Sequence, residues 1–482
     1  MASFVEHFVI TSLIALLIYS NKSYIKNVFF TREDNAMIGL EDAISNSTSK
    51  YKKVAVGVNA NVDLIVSALK LFSELNIKPS SGPQNHDTIS SLEDLEECFQ
   101  FYFKRCAAAE RFVSSKEVFD KIVAAAKRIS NAQYDVGGNA ALMGLKMIYS
   151  NSNSSILLGG PIGPKLEAML DKRIVIPKAL RQASDEYHLI LEYGKEEKWG
   201  EQKASCANRF IITHDSANGQ MTAMEKFFDS LIDFQPELIV ISGLHLLEGQ
   251  SDKIRQEKLS ELRHRLEAIS EDTPIHLELA SMTSATFMKD VAQTIFPVVD
   301  SIGLNEQELA FLSTSLDGPG GSDELAQWPP EIGLMADSLD WLLQVFGKNE
   351  RYGSVSSRLT RIHFHCLTYH IIAAFPESWS NSLAATAAGS RAASRQACNK
   401  EHLDSIDVEL RTPKVFARSV KFWELRRNLV KRDKANPVIS WEHNGAEFHF
   451  SVVLVCKHPK RTVGLGDCIS ATGLQYSDFL FK

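Results

Sequence analysis

The chain has 482 residues, of which 44% are hydrophobic and 23% are charged, a balance typical of a folded protein with a substantial core. Its formal net charge of −7 argues against nucleic acid as a partner, because phosphate binding needs a positive face. The seven cysteines form no CxxC pair and no zinc-ligand spacing, which argues against a zinc module and a disulfide scaffold. One disulfide bridge remains possible if the chain enters an oxidising compartment. We also expect the protein to be a monomer.

The N-terminal region carries an apolar run of twelve residues, FVITSLIALLIY, at 8–19. The run is short for a transmembrane helix and has the length of the apolar core of a secretory signal. We predict that residues 1–20 are a signal peptide or membrane anchor for the endoplasmic reticulum or secretory pathway, with secretion as one outcome. The alternative is a helix packed on the body, and the side of the membrane that the body faces stays open. Residues 21–50 are polar, and we predict that they are a linker.

The body of the chain, residues 51–482, alternates β-branched apolar runs with helical patterns such as IRQEKLSELRHRLEAI at 254–269. This alternation predicts an α/β fold with a mainly parallel central sheet that is covered on both faces. Two regions fit the alternation poorly, at about 67–130 and 164–221, and we predict that they form a smaller inserted α/β lid domain. The predicted strands of the central sheet lie at 54–58, 155–158, 238–241, 275–279, 362–365 and 450–455.

The most informative motif is the late tetrad Gly464, Leu465, Gly466 and Asp467, which follows an apolar run and precedes a predicted helix. Glycines at a helix N-terminus let backbone N–H groups approach a phosphate closely. A carboxylate at that point can accept the proton of an attacking hydroxyl group. The alternative is a tight turn in which Asp467 only caps the helix.

Two further acidic elements follow predicted strands. Glu278 stands in an apolar strand, where an ionised carboxylate needs a partner. Asn305 and Glu308 open a helix, where Glu308 is a candidate ligand for Mg²⁺ held through water. Asn305 with Glu308 also has the spacing of a capping box, and both roles are compatible.

Polar turns follow the first predicted strand and the predicted lid segment. Asn61 and Asp63 could hydrogen-bond a polyol, or could close the strand as an Asx-turn. Gly138 and Asn139 open another helix and again allow a simple turn as the alternative. Neither motif is specific by itself.

In this order the motifs resemble those of the ADP-dependent sugar kinases, and in particular the animal ADP-dependent glucokinases. The resemblance covers essentially everything after the predicted linker, and its stretches are 56–63 (VGVNANVD), 107–113 (AAAERFV), 137–141 (GGNAA), 209–212 (RFII), 241–247 (ISGLHLL), 276–281 (HLELAS), 302–309 (IGLNEQEL), 361–371 (RIHFHCLTYHI) and 459–469 (PKRTVGLGDCI). The resemblance implies a ribokinase-like three-layer sandwich and transfer of the terminal phosphate of ADP to glucose. Cys366 and Cys468 depart from the family's pattern.

The resemblance also implies a role for each matched residue. Asp467 would be the catalytic base, and Gly464, Leu465 and Gly466 would supply the anion hole. Glu278, Glu308 and Asp467 would organise Mg²⁺ as the cofactor. The sugar pocket would contain Asn61, Asp63, Glu110, Gly138 and Asn139, and the ADP site would contain Arg209, Asn305, His363 and Val463.

The sequence therefore predicts a Mg²⁺-dependent kinase that phosphorylates glucose with ADP, releases AMP and feeds glycolysis. No Walker A loop or protein-kinase signature is present. An ATP-dependent ribokinase-like sugar kinase is the alternative within the enzyme class, and the residues alone do not separate ADP from ATP. A catalytically silent binding protein of the endoplasmic reticulum is the alternative outside it.

Overall fold

The computed structural model of the chain describes residues 31–79, 82–151, 153–320, 329–348, 356–420, 429–431, 436–461 and 463–481. The predicted signal peptide or anchor at 1–20 lies outside these described residues. Across the described ranges, no helix has both the length and the apolar character needed to cross a membrane.

The described strands and helices alternate along much of the chain. The strands are β1 Lys53–Gly57, β2 Asn61–Ser67, β3 Thr88–Ile89, β4 Ala109–Val113, β5 Gln133–Gly137, β6 Ser155–Leu158, β7 Ile174–Val175, β8 Tyr187–Tyr193, β9 Lys198–Trp199, β10 Gln202–Lys203, β11 Asn208–Thr213, β12 Leu238–Ile241, β13 Ile275–Glu278, β14 Ser301–Asn305, β15 Arg361–His365, β16 Tyr369–Ala374, β17 Trp379–Ser380, β18 Val408–Glu409, β19 Val415–Ala417, β20 Leu429–Lys431, β21 Val438–His443, β22 Ala446–Val452, β23 Val455–Cys456 and β24 Asp478–Phe479. The α helices are α1 Arg32–Ile44, α2 Ala68–Glu74, α3 Leu92–Arg105, α4 Lys116–Arg128, α5 Asn139–Ser150, α6 Pro164–Met169, α7 Met224–Phe234, α8 Asp252–Glu267, α9 Ala285–Ile295, α10 Glu306–Ser315, α11 Ile332–Phe346, α12 Ser382–Cys398 and α13 Leu465–Tyr476.

The large sheet has ten strands in the order β21-β22-β16-β15-β14-β13-β12-β1-β6-β7. Every neighbouring pair from β15 to β7 is parallel, while β16, β22 and β21 add an antiparallel edge. The predicted mainly parallel sheet is therefore confirmed. The carboxyl ends of its parallel strands share one edge, which is where α/β folds of this kind bind ligands.

Both faces of the large sheet are covered by helices. Val54 and Val56 of β1 pack into one apolar cluster with Ala140 of α5. Ala55, which points to the opposite face, packs into another cluster with Phe227 of α7. The predicted three-layer sandwich is confirmed by this division.

The lid is a second sheet of six strands in the order β3-β4-β11-β8-β2-β5. One face buries residues such as Leu64, Leu189 and Phe210 together with Phe99 of α3 in a separate apolar core. The opposite face carries polar side chains at alternating positions. Since the two faces differ so clearly, the register of the lid strands fixes which side chains line its polar face.

The lid differs from its predicted bounds of 67–130 and 164–221. Its strands already begin at Asn61 and run to Gly137, and the second passage is confined to β8 through β11. Within the second predicted segment, β7 pairs with β6 at the edge of the large sheet instead. The polar residues 61–63, which suggested a turn, are part of strand β2.

The predicted linker at 21–50 contains helix α1, which the polar composition concealed. Thr31 and Asp34 form a capping box at its N-terminus, and Leu40 and Ile44 are buried against the body. The reciprocal cap satisfies two of the free N–H groups of the first turn. This segment is thus part of the folded body and not a linker over Arg32–Ile44.

Candidate active site

The candidate catalytic turn lies at the N-terminus of α13. Gly464 has a φ of +67°, a left-handed conformation that glycine adopts without strain. A Cβ atom on Gly466 would lie 2.6 Å from Cε1 of His365, so the close approach of the turn to β15 needs a glycine. The first-turn N–H groups of α13 have no partner within the helix and carry its positive dipole end, which favours an anion.

Asp467 is the third residue of α13, and its side chain is only 7% exposed. Nδ2 of Asn139, at the start of α5, donates a hydrogen bond of 3.0 Å to Oδ1 of Asp467. Burial, with the negative charge of Glu278, raises the pKa of Asp467 to about 7. A carboxylate with a pKa near neutrality is well suited to accept a proton.

Glu278 ends β13 directly beneath this turn and is held by two histidines. Its Oε2 accepts a hydrogen bond of 2.9 Å from Nε2 of His276, and its Oε1 accepts one of 3.1 Å from Nε2 of His365. Burial alone would raise the pKa of Glu278, but these two hydrogen bonds outweigh burial and lower it to about 2. Glu278 therefore stays ionised, as the sequence argument for a partnered buried charge required.

Glu308 forms the predicted helix cap and also lies near two other acidic side chains. Its carboxylate accepts hydrogen bonds of 2.8 Å from the backbone N–H of Asn305 and 2.9 Å from Asn305 Nδ2, which completes a capping box at α10. Burial raises the pKa of Glu308 to about 7, and the charges of Glu278 and Asp467 contribute to the increase. The cap and the acidic cluster are therefore one structure.

The three carboxylates Glu278, Glu308 and Asp467 repel one another in a buried setting. In the ranges that the structure describes, no three His, Cys, Asp or Glu side chains are grouped closely enough to hold a metal ion directly. Oxygen donors and excess negative charge are nevertheless what Mg²⁺ requires, and Mg²⁺ usually retains several of its waters. The donor set thus fits an ion held through water and partly by a substrate phosphate.

The polar face of the lid gathers the residues predicted for the sugar pocket. The strand register aligns Asp63 with His188 and His188 with Thr213. On the neighbouring strand β4, Glu110 lies two residues from the position that is aligned with Thr213. Because alternate residues of a strand share a face, these side chains all point the same way. Arg209 on β11 shares this face, so the predicted sugar and phosphate ligands of the lid lie on one surface.

His188 is the electrostatic centre of that surface. Its Nε2 lies 2.9 Å and 3.0 Å from the two carboxylate oxygens of Asp215. Burial lowers the pKa of His188, but the charges of Asp215, Glu110 and Asp63 outweigh burial and raise it to about 10. His188 is consequently a cation that offers hydrogen bonds among acceptors.

The two predicted carboxylates of the sugar pocket are perturbed by their surroundings. Burial raises the pKa of Asp63 to about 6, against the opposing effects of His188 and of Asn61. Glu110 reaches the solvent of the open cleft, yet the surrounding protein removes enough water to raise its pKa. Such carboxylates gain from hydrogen-bond donors such as sugar hydroxyl groups.

Glycines bring the lid strands close to the catalytic turn. A Cβ atom on Gly137 would lie 2.0 Å from Oδ1 of Asp63, and Nδ2 of Asn61 donates a hydrogen bond of 2.7 Å to the same oxygen. Gly138 has a φ of +84° and lies against the backbone of Ala60. This close packing places Asn61 and Asp63 beside Asn139, and thus near Asp467.

The four predicted ADP ligands lie in four different settings. Asn305 is the N-cap of α10, and Val463 is exposed, with its carbonyl oxygen accepting a hydrogen bond of 2.9 Å from Gln396. Arg209 lines a cavity of about 710 Å³ on the lid. His363, in contrast, is fully buried beneath α13, and its Nε2 pairs with Nδ1 of His370 at 2.8 Å. The position of His363 therefore supports a structural role and not direct contact with a nucleotide.

Sequence reasoning missed four residues of the site: His188, Asp215, His276 and His365. His276 and His365 belong to apolar strand patterns, in which a lone histidine gives no signal of its own. His188 stands in the alternating pattern at 187–193, but its partner Asp215 lies beyond the next strand pair. Only the register of β2, β8 and β11 brings His188 beside the other polar side chains of the lid.

The chain is similar to known proteins along most of its length. Residues 52–476 match the family described as "ADP-specific Phosphofructokinase/Glucokinase conserved region". The chain is 47% identical to the ADP-dependent glucokinase of Bos taurus, over 89% of this chain and 85% of that protein. It is 40% identical to the probable ADP-dependent glucokinase of Caenorhabditis elegans, over 93% of this chain and 90% of that protein.

A solved structure extends the comparison to the fold. A phosphofructokinase from Pyrococcus horikoshii OT3, solved with AMP, superposes with a TM-score of 0.66 at 14% identity, over 89% of this chain and 98% of that one. An identity this low shows the fold alone. Together with the matched region and the close relatives, it establishes that the chain belongs to the ADP-specific phosphofructokinase/glucokinase family, with the ribokinase-like α/β fold.

Proposed function

We propose that the protein transfers the terminal phosphate of ADP to the 6-hydroxyl group of glucose, giving AMP and glucose 6-phosphate, and so feeds glycolysis. The observation that carries the proposal is the buried carboxylate of Asp467 in the first turn of a glycine-led helix, next to the polar face of the lid. The two animal relatives named as ADP-dependent glucokinases support the choice of both substrates.

The chemistry follows from the charges around Asp467. As the sugar O6 bonds to the β-phosphorus of ADP, the bond from that phosphorus to the bridging oxygen breaks, and the hydroxyl proton passes to the Asp467 carboxylate. The N–H groups at residues 464–467 stabilise the negative charge on the transferring group. Arg209 would contact the donor phosphates from the lid.

Mg²⁺ is the cofactor of the proposed reaction. Glu278, Glu308 and Asp467 would hold it, largely through water, and when bound it would neutralise charge on the donor phosphates. The hydrogen bonds from His276 and His365 keep Glu278 ionised for this role. The cap that fixes Glu308 at α10 keeps its carboxylate oriented.

The lid supplies substrate contacts and a dry site. Asn61, Asp63 and Glu110 offer acceptors to the sugar hydroxyl groups, whereas His188 offers a donor. Closure of the lid over the large sheet would exclude water, which would otherwise compete with the sugar for the phosphate.

The direct test measures glucose 6-phosphate and AMP with purified protein and either ADP or ATP as donor. An adenylate kinase inhibitor prevents conversion of ADP to ATP, and an Asp467→Asn sample purified in parallel reports contaminating kinase. We expect one AMP per glucose 6-phosphate with ADP. Preference for ATP would favour the ATP-dependent alternative, and absence of product with both donors would favour the silent binding protein.

We also propose that the chain enters the endoplasmic reticulum through its first 20 residues. Two disulfides, Cys106–Cys206 and Cys398–Cys456, support this localisation because such bridges persist in oxidising compartments. Membrane contact only through this segment, and the monomeric state, stay predictions.

A further inference from the structure

A groove with basic walls lies on the outer helical layer, behind the catalytic turn. Its volume is about 470 Å³, and α5, α12 and α13 form its sides and floor. We call it the outer groove. Its basic side chains are Lys146, Arg391, Arg395, Lys400 and Arg461.

The arrangement of these cations follows from helix geometry and from one loop. Arg391 and Arg395 are four residues apart on α12 and therefore share one face. Arg461 comes from the loop that leads to the catalytic turn, and its backbone lies against the end of α12, where the N–H of Lys460 donates a hydrogen bond of 2.7 Å to the carbonyl oxygen of Ala397. The positive groups of two elements thus converge on one concavity.

Nearby carboxylates neutralise only part of the positive charge of the outer groove. Arg391 and Arg395 share the single carboxylate of Glu41, at 2.5 Å and 3.1 Å, and Lys400 pairs with Asp407. Glu401 also lines the groove, which leaves five basic residues against one acidic residue in its lining. Among the residues that the structure describes, the side chains of Lys146 and Arg461 have neither an ion pair nor a hydrogen bond. Burial and the charge of Arg461 lower the pKa of Lys146, against the opposing effects of Cys468 and Asp467. An ammonium group in this position is stabilised by an anion.

The outer groove is distinct from the donor site. Lys146 lies seven residues after Asn139 along α5, or about 10 Å further along that helix at 1.5 Å per residue. The floor of the groove includes Cys468 and Thr472, which have no role in the proposed reaction, whereas the proposed anion hole and base are residues 464–467. None of the groove's basic side chains has a role in the proposed transfer.

We infer that the outer groove is a second anion site, which binds a free small molecule carrying phosphate groups. Arginine forks bind phosphate oxygens in pairs, and a lysine adds a point charge. The volume is within the range of small-ligand pockets. A concave groove with a buried floor suits a free ligand better than the headgroup of a lipid within a membrane surface.

The test uses inorganic pyrophosphate as the probe in calorimetric titrations of the purified chain at low salt, with saturating AMP to occupy the donor site. We expect one bound pyrophosphate per chain, and a rise in its dissociation constant of about tenfold in Lys146→Met and in Arg461→Ala, because each removes one charge-assisted contact. Lys146→Arg should restore binding. Lys253→Met, on the exposed face of α8, removes the same charge elsewhere and should leave binding unchanged.

Two results would overturn the inference: no binding in the presence of AMP, or binding that both groove variants leave unchanged. Melting curves identify a variant that has failed to fold, in which case the other variant decides. Sedimentation with phosphatidylserine vesicles that depends on Lys146, without pyrophosphate binding, would assign the groove to a membrane and refute the free ligand. A failure of AMP to bind would count only against the proposed donor site. The Lys146 and Arg461 variants test the groove separately, because both residues lie outside that site.

Discussion

At the scale of single residues, Asp467 combines two demands that conflict. The proposed catalysis needs its carboxylate ionised near neutral pH, whereas its burial favours the protonated form. The hydrogen bond from Asn139 offsets part of that cost. The site thus retains a charge that the fold alone would not favour.

Asp467→Asn should remove nearly all turnover, because loss of a general base commonly costs ~10²–10⁴-fold. Asparagine has the same shape and can still accept the hydrogen bond from Asn139, so we expect the fold and nucleotide binding to persist. Single-turnover assays with ADP and glucose, beside equilibrium binding of AMP, check both halves. Turnover within a factor of two or three of the unmodified protein would refute the assignment.

The same variant should have a pH-dependent effect on stability. The pKa of Asp467 is about 7 in the folded protein and about 4 in an unfolded chain. Stability linked to its protonated form is present below pH 4 and is lost as the pH rises through 7. Without Mg²⁺, the free energy of unfolding of Asp467→Asn should therefore exceed that of the unmodified protein at pH 8 by up to about 4 kcal/mol. The difference should vanish near pH 4, and denaturant unfolding at each pH measures it. A constant difference across this range would contradict the buried, protonated aspartate.

Glu308 permits a clean separation of capping from metal binding. Gln keeps one acceptor oxygen for the backbone N–H of Asn305, but it lacks the charge and gives up the hydrogen bond from Asn305 Nδ2. Glu308→Gln should therefore lower the melting temperature only slightly and raise the Mg²⁺ concentration for half-maximal activity. Glu308→Ala should show the same metal effect and also lose about 0.5–2 kcal/mol of stability. Asp94→Ala, in the capping box of α3, is the matched control that should affect stability alone. An unchanged Mg²⁺ requirement in both Glu308 variants would leave the residue a cap only.

At the scale of elements, we predict that the lid decides which sugar is used. Glu110 would accept hydrogen bonds from a neutral sugar, but its charge would repel the phosphate of fructose 6-phosphate. We therefore expect a strong preference for glucose, and a far larger loss of glucose phosphorylation than of stability in Glu110→Ala. Initial rates with both sugars measure this, with Glu192→Ala on the same face of the lid as the control. Efficient use of fructose 6-phosphate by the unmodified protein would overturn the sugar assignment but not the kinase.

The elements also show how far the sequence alone could lead. Strands buried on both faces were predictable from their continuous apolar runs, and those at 155–158 and 238–241 have the predicted bounds. Helix α1 was not predictable, because it hides a narrow apolar stripe in a polar segment. Of the site residues predicted from motifs, Asn139 contacts Asp467, whereas His363 is buried in a different setting. The partner of His188 depends on strand register, which pairs residues more than 100 positions apart.

At the scale of the whole molecule, the compartment that the chain enters should determine how many of its cysteines are free. Of seven cysteines, four form disulfides and three are free in the structure. A chain expressed with residues 1–20 should expose three reactive thiols after denaturation without reductant, and a chain that lacks them should stay in the cytosol with seven. Thiol titration of both forms after fractionation measures this.

Asn46 and Asn153 are exposed and belong to sequons for N-glycosylation. A gain of mass that a glycosidase reverses would show that they are glycosylated, which would place the body in the lumen. Equal thiol counts and equal fractionation of the two forms would mean that the N-terminal run does not direct the chain.

The order of the site along the chain has a consequence for synthesis. Every lid residue of the proposed sugar pocket has been made by Asp215, whereas Asp467 is made only after the strands of the large sheet. Domains begin to fold while the ribosome is still adding residues. An unfinished chain could thus fold the proposed sugar-binding surface before the proposed catalytic base has been synthesised. We expect premature termination between Asp215 and Asp467 to leave a fragment without kinase activity.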